Sequence, residues 1–413
     1  MPIRDKINKH VIEILRTLNN AGEEAYIVGG AVRDLLLDIS PKDYDLATDA
    51  HPQRIKKIFG RKARIIGKRF KIVHLRYKGE IYEISTFRRK PTMEERKVRV
   101  SDSGLQIWKD NYYGNLEQDA YRRDFTVNAL YYDPVNGKGL VDFVNGYKDL
   151  KEKKVRCIGD STTRLLEDPV RILRALKLVG QYSFSLEEEL ADSIRKHKKA
   201  IHKASNARLQ EEFFKIIKAR YPESIFSAFH EYDFLQIFFP AYEKEWNTQE
   251  SKDSRELLKK RYERMSTQRY SDSRVLGLGT IIFPFIRSHL RELSPSDTLF
   301  WEYFPEIKKE CKKFIHHFFQ PFDLPKFIKL RLAEMITIIP LFMQKEKRDR
   351  VMKSREYSYS RELLSLFLEF HKFDPEALSN WPLFSQQSHR RRKSTSKQHQ
   401  SYHRRKGHNW RKN

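Results

Sequence analysis

The feature that most restricts this chain is a short apolar run that stops on two glycines and then resumes as a helix. Ala25 to Val28 reads as a buried strand, Gly29-Gly30 breaks it, and Ala31 to Leu37 carries helical periodicity. A second strand, Tyr44 to Thr48, follows, and Asp43-Tyr44-Asp45 stands at its head. Glycine at such a strand-to-helix junction lets the backbone approach a phosphate, and the helix N-terminus offers N–H groups to an anion. Arg33, in the first turn or two, adds a charged donor there. Asp43 and Asp45 alternate along a strand, so both carboxylates point to one face. Such a pair repels itself unless cations lie between its members. Magnesium fits, because it takes hard oxygen ligands, keeps waters and completes its shell with substrate phosphates.

The surrounding chain predicts a mixed α/β region. Apolar residues at helical spacing predict a helix over Ile7 to Leu18, and Pro52 to Phe59 predicts another, with Pro in its first turn. Ile65-Ile66 ends a short strand, and Ile72 to Tyr77 with Ile81 to Phe87 predicts a hairpin around Lys78-Gly79. Arg88 to Ser103 is charged and poor in apolar residues, which predicts a mobile loop. A helix is expected to start at Asp119 and run to Leu130, with strands near Tyr131-Tyr132 and over Leu140 to Val144. After about Gly159 the pattern turns helical: Leu165 to Val179, Leu186 to His197, Ala207 to Ala219 and Glu223 to His230, and less clearly onward to about Phe370.

A length of 413 residues suggests two or three domains. Lys and Arg exceed Asp and Glu by 26, which points to a polyanionic partner. Only ten of those charges belong to the acid-free segment Ser388 to Asn413, which is expected to be disordered, so the basic character is not a tail effect alone. Nothing resembles a membrane span of roughly 20 apolar residues or a signal-peptide core, so nucleic acid in the cytoplasm is favoured and a membrane is not. Cys157 and Cys311 lie too far apart in sequence to suggest a disulfide framework or a cysteine zinc site.

Two further segments carry chemistry. Gln118-Asp119-Ala120-Tyr121-Arg122-Arg123-Asp124-Phe125-Thr126-Val127-Asn128-Ala129-Leu130 offers two arginines able to clamp a triphosphate. Glu167-Asp168-Pro169-Val170-Arg171-Ile172-Leu173-Arg174-Ala175-Leu176-Lys177 repeats Asp168, Arg171 and Arg174 every three residues, which would gather an acceptor and two donors on one helix face. In order and spacing, from about Tyr26 to Phe239, these motifs and the Gly29-Gly30 to Asp45 signature resemble the class II nucleotidyltransferases. That group holds tRNA CCA-adding enzymes and bacterial poly(A) polymerases. Ile65-Ile66-Gly67-Lys68-Arg69-Phe70-Lys71-Ile72-Val73-His74-Leu75 resembles the poly(A) polymerase version.

The resemblance implies an α+β fold. A head like that of the DNA polymerase β superfamily spans 1–150, a helical neck 151–240, a helical body 241–387 and a basic tail 388–413. It implies addition of AMP from ATP to RNA 3′ ends by a two-metal mechanism, with magnesium (or manganese) on Asp43 and Asp45. Gly29, Gly30, Arg33 and Arg123 would hold the triphosphate. Asp168, Arg171 and Arg174 would read the base. Asp124 is a candidate further catalytic carboxylate, with Glu83 its competitor. Lys177 stands where relatives commonly carry Arg, a point charge in place of a planar fork. His74 reads as structural. In the tail, Arg390, Arg391, Arg392, Lys393, Arg404, Arg405 and Lys406, with Tyr402 and Trp410, suit a flexible RNA tether. RNA-decay proteins are candidate partners. A CCA-adding enzyme and a non-catalytic RNA-binding adaptor are the alternative readings.

Overall fold

Short apolar runs with β-branched residues form the strands. β1 (Ala25–Val28) is buried along its whole length. The computed structural model describes residues 3–67, 71–92, 99–100, 106–107, 112–267, 273–373 and 378–382. The order before and after β1 is α1 (Lys9–Asn20), α2 (Gly30–Leu36), β2 (Asp45–Thr48), α3 (Pro52–Phe59), β3 (Ala63–Ile66), β4 (Ile72–Tyr77) and β5 (Glu80–Thr86). Then come β6 (Arg99–Val100), β7 (Gln106–Ile107), α4 (Leu116–Tyr121), β8 (Leu130–Asp133), β9 (Gly139–Asp142), α5 (Gly146–Lys151) and β10 (Lys154–Val155). The fold is α+β. A seven-stranded sheet runs β3-β4-β5-β2-β1-β8-β9, and helices dominate the chain after it.

Local signals explain much of the head. Asn8 caps α1 by accepting from the His10 amide at 2.9 Å, and Pro52 opens α3, where its missing N–H costs nothing. Lys78 and Gly79 both take positive φ, 47° and 91°, the two-residue turn that matches the twist of β4 and β5. Helices α1 and α3 pack on one face of the sheet. On the other face Tyr26, Val28, Ala47 and Tyr131 join Phe87, Ala120 of α4, Ala129 and Ile158 in a second core.

Three expectations change. The span 88–103 is not simply a loop: β6 pairs with β7, Arg99 opposite Ile107, and Arg88 bridges Tyr113. The other residues of that span from 93 on lie outside the described residues. The helix expected over Asp119 to Leu130 is only α4. Asn115 caps it with a reciprocal Gln118 bond, and it ends at Tyr121, so Arg122-Arg123-Asp124 form the turn beyond it. The helix expected over Leu165 to Val179 is two, α6 (Ser161–Glu167) and α7 (Arg171–Tyr182). Pro169 is the reason. Its ring disfavours the helical region for the preceding residue, and Asp168 sits at φ −148°, ψ 88°.

The first compact unit comprises the chain to Phe213 together with Ser227–Ile237. It is completed by β11 (Ser185–Leu186) and α8 (Glu188–His197), with parts of α9 (Asn206–Ile217), α10 (Pro222–Glu231) and α11 (Leu235–Phe238). The second unit comprises Phe214–Phe226 and the chain from Phe238 onward. It holds α12 (Pro240–Lys244), α13 (Gln249–Thr267), α14 (Arg274–Leu293), α15 (Ile307–Phe319), α16 (Lys326–Thr337), α17 (Arg348–Lys353) and α18 (Tyr357–Phe370). Its axis is α14, buried without interruption from Val275 to Ile286 and surrounded by α13, α15, α16 and α18. Among the described residues no helix is long and apolar enough to cross a membrane.

Candidate active site

Asp45 opens β2 and pairs with Val28, the last residue of β1, so it lies at the strand end from which Gly29 leads into α2. Gly29 caps α2 at φ 71°, a conformation that favours glycine. A Cβ there would meet the Asn128 carbonyl at 3.4 Å and Arg123 Nη1 at 3.5 Å. The Arg123 guanidinium therefore lies directly against the glycine turn. Asp43 and Asp45 are both exposed, with Asp43 two residues ahead of the strand rather than in it.

The parallel pairing of β2 with β5 places Glu83 directly beside Asp45, and the antiparallel pairing of β5 with β4 places His74 beside Glu83. Cross-strand partners share a face. Asp45, Glu83 and His74 thus form one row, and His74 Nε2 lies 3.1 Å from Glu83 Oε1. Asp43 and Asp45 are hard oxygen donors beside the glycine turn, and this fits an ion that keeps waters and takes further ligands from phosphates. Among the described residues no three His, Cys, Asp or Glu side chains are already gathered to hold a metal.

Arg123 is held by a buried carboxylate. Asp119, 1% exposed, accepts from Arg123 Nη2 (2.9 Å), Arg122 Nε (2.9 Å), Tyr131 Oη (2.7 Å) and the Arg88 amide (3.0 Å). Burial by itself pushes that carboxyl up. The Arg123 and Arg122 charges and the Tyr131 and Arg88 hydrogen bonds outweigh it and bring it down to about 2. Arg123 Nε donates in turn to Tyr131 Oη at 2.9 Å. Arg164, buried in α6, donates to the Arg122 and Arg123 carbonyls at 2.7 Å each and fixes the turn.

Arg33, read from the sequence as a triphosphate contact, is engaged within the protein. It is 8% exposed, donates to Asp34 (2.8 Å), Asn128 (2.6 Å) and Tyr182 (2.6 Å), and stacks over the Tyr182 ring at 4.3 Å. Four of the roughly five N–H groups of a guanidinium are used in this way. Arg33 thus ties α2 to the end of α7.

Asp124 lies against Arg174 of α7 and not in the Asp45 row. It accepts from the Phe125 amide (2.8 Å), Asn128 (3.3 Å) and Arg174 (3.3 Å). Burial pushes its carboxyl up, and Arg174, the Phe125 amide, Asn128 and Arg171 overcome that and hold it below the ordinary value. Arg174 also faces Glu212 of α9 at 3.3 Å. Arg171 donates to the Arg164 carbonyl and lies 3.5 Å from Glu167. Asp168 Oδ2 accepts from Arg208 Nη2 at 2.6 Å, while its Oδ1 is buried with no hydrogen-bond partner among the described residues. Asp168, Arg171, Arg174 and Lys177 are each half-buried, and the α7 residues between the last three are buried.

Sequence reasoning missed Asn128, Arg164, Tyr182, Arg208 and Glu212 as members of the site. Asn128 stood inside a quoted motif; nothing in the sequence ties Arg208 or Glu212 to α7. Residues 68–70, in the segment that resembles poly(A) polymerases, and the tail residues Arg390 to Lys406 lie outside the described residues.

Residues 25–156 match the family described as "Poly A polymerase head domain", and residues 183–245 match "Probable RNA and SrmB- binding site of polymerase A". The chain is 40% identical over 236 residues to "Poly(A) polymerase I" of Haemophilus influenzae, covering 57% of this chain and 52% of the relative. It is also 40% identical over 207 residues to a "CCA-adding enzyme" of Lactobacillus helveticus, covering 49% and 48%. The chain spans about half the length of these curated relatives. Among solved structures, the Bacillus stearothermophilus CCA-adding enzyme in complex with CTP has the same fold, with a TM-score of 0.60 at 20% identity over 89% of this chain and 79% of that one.

Proposed function

From the match of residues 25–156 to the poly A polymerase head-domain family, we infer that this chain is an RNA nucleotidyltransferase that adds AMP from ATP to RNA 3′ ends. One observation carries the reading: the Asp45–Glu83 row, the Gly29 turn and the Arg123 guanidinium meet at a single strand end.

The chain's own groups divide the work. Gly29 and Gly30 let the backbone come close to a triphosphate, and Arg123, pinned by Asp119 and Tyr131, presents its remaining N–H groups to it. Because the arginine is already oriented, little side-chain entropy is lost on binding. Asp43 and Asp45 would hold magnesium, and Glu83 is the neighbouring carboxylate in register with Asp45. When bound, two such ions supply a lowered pKa for the attacking 3′-hydroxyl and charge compensation for the departing pyrophosphate. Half-buried Asp168 would supply an acceptor to a base amino group, and Arg171 and Arg174 donors from the same stripe. Asp124 orients Arg174 and is a positioning group in this reading. RNA is the polyanion that the excess of basic residues would receive.

A CCA-adding reaction is the second reading, favoured by the 40% identity to the Lactobacillus helveticus protein. The test extends a labelled generic RNA and a tRNA lacking CCA, each with magnesium and ATP, CTP or both. Long ladders with ATP alone on the generic RNA support poly(A) synthesis. Two additions from CTP and one from ATP, on tRNA only, replace it with the second reading. No incorporation under any condition leaves an RNA-binding adaptor.

A further inference from the structure

The second unit carries a cavity of about 480 Å³ that the nucleotidyltransferase reading does not use. Its floor is aromatic. Phe285 and Phe318 are almost fully buried, their rings 5.0 Å apart, and Phe314 stacks on Phe318 at 5.9 Å while remaining half-open. Its rim is acidic: Glu245, Glu250 and Glu292 line it beside His289 and His317, and Glu250 also interacts with the Arg287 charge on α14. Lys244 is the one lysine or arginine in the lining. Three carboxylates around aromatic rings suit an ammonium or guanidinium group, which is attracted both to the charge and to the ring faces.

In a chain with an excess of 26 positive charges, such a pocket contrasts with its surroundings. The sequence beyond Pro382 supplies a matching occupant. Residues 388–413 carry ten Lys and Arg and no Asp or Glu. They follow a segment anchored in the same unit, where Trp381 packs 4.7 Å from Phe342 and donates to its carbonyl. At roughly 3.3 Å per residue the remaining chain can reach on the order of 100 Å, so distance does not prevent the contact. We propose that the Phe314 pocket takes a lysine or arginine side chain of the chain's own last segment, residues 388–413. The basic tail is then tethered to its own protein as well as available to RNA.

The experiment uses the full chain. Carbodiimide treatment joins a lysine Nζ to a carboxylate in direct contact, and an equal mixture of light and heavy isotope-labelled protein separates links within one molecule from links between two. Peptide mass spectrometry is expected to join Lys393, Lys397, Lys406 or Lys412 to Glu245, Glu250 or Glu292 within one molecule. Phe314→Ala removes the ring without touching the carboxylates and should lower those links about fivefold. A Glu245→Gln, Glu250→Gln, Glu292→Gln variant keeps the shape of the rim and should speed tryptic cleavage in the tail by a similar factor. Tail lysines linked mainly to acids elsewhere overturn the proposal. So do links of mixed isotope, which would mean a second copy's tail, or tail cleavage unchanged in the triple variant.

Discussion

Replacing Asp119 by Asn tests whether a buried carboxylate holds the proposed triphosphate arginine. Asp119 is 1% exposed and its carboxyl lies at about 2, against an ordinary value of 3.8. At about 1.4 kcal/mol per tenfold, that depression is worth about 2–3 kcal/mol in favour of the ionised form in the fold. The substitution also leaves the Arg123 and Arg122 guanidiniums without their countercharge, a loss that costs about 3–5 kcal/mol when a buried pair is broken outright. Asparagine still accepts hydrogen bonds, so about 2–3 kcal/mol is expected. Native-state hydrogen exchange at the β8 amides reads this locally, as exchange faster by about 30- to 160-fold. The folded pKa is depressed, so the stabilisation is complete above the unfolded value near 4 and fades as pH falls toward 2. The gap between the two proteins should stay level from pH 7 to 5 and narrow only below about 4. The KM for ATP should rise more than kcat falls, because Arg123 loses its orientation. Equal exchange in both proteins, or a gap that widens on acidification, would refute the argument.

Asp43→Ala or Asp45→Ala should abolish magnesium-dependent nucleotide addition while RNA affinity, measured by filter binding, stays within about twofold; substantial residual activity removes both from the metal assignment. Gly29→Ala places a side chain at φ 71° against Arg123 and Asn128, so a loss of about 1–3 kcal/mol is expected, and an unchanged thermal midpoint would contradict it. Arg174→Ala leaves Asp124 and Glu212 facing each other without their shared cation. It should weaken discrimination between ATP and CTP, read as the ratio of kcat/KM values, and unaltered selectivity would take Arg174 out of base reading.

Local physics made most of the head legible in the sequence. Four buried residues ending in two glycines can be little else than a strand feeding a turn, and Asn8, Pro52 and Lys78-Gly79 mark element ends by their own backbone preferences. The Gly29-Gly30 to Asp45 signature and the Asp168 to Lys177 stripe were readable because each lies within one short stretch. Pro169 was visible too, and its effect on Asp168 was the local signal passed over. The tertiary structure decided which charges meet. Glu83 comes beside Asp45 through a parallel pairing of β2 with β5, which a linear pattern does not encode. Asp124 faces Arg174, Asp168 faces Arg208 and Arg33 turns inward to Tyr182, across separations of 50, 40 and 149 residues. A side chain's period fixes the face it occupies, but its partner is whatever packing brings opposite. A charge therefore takes its role from the neighbour the fold supplies.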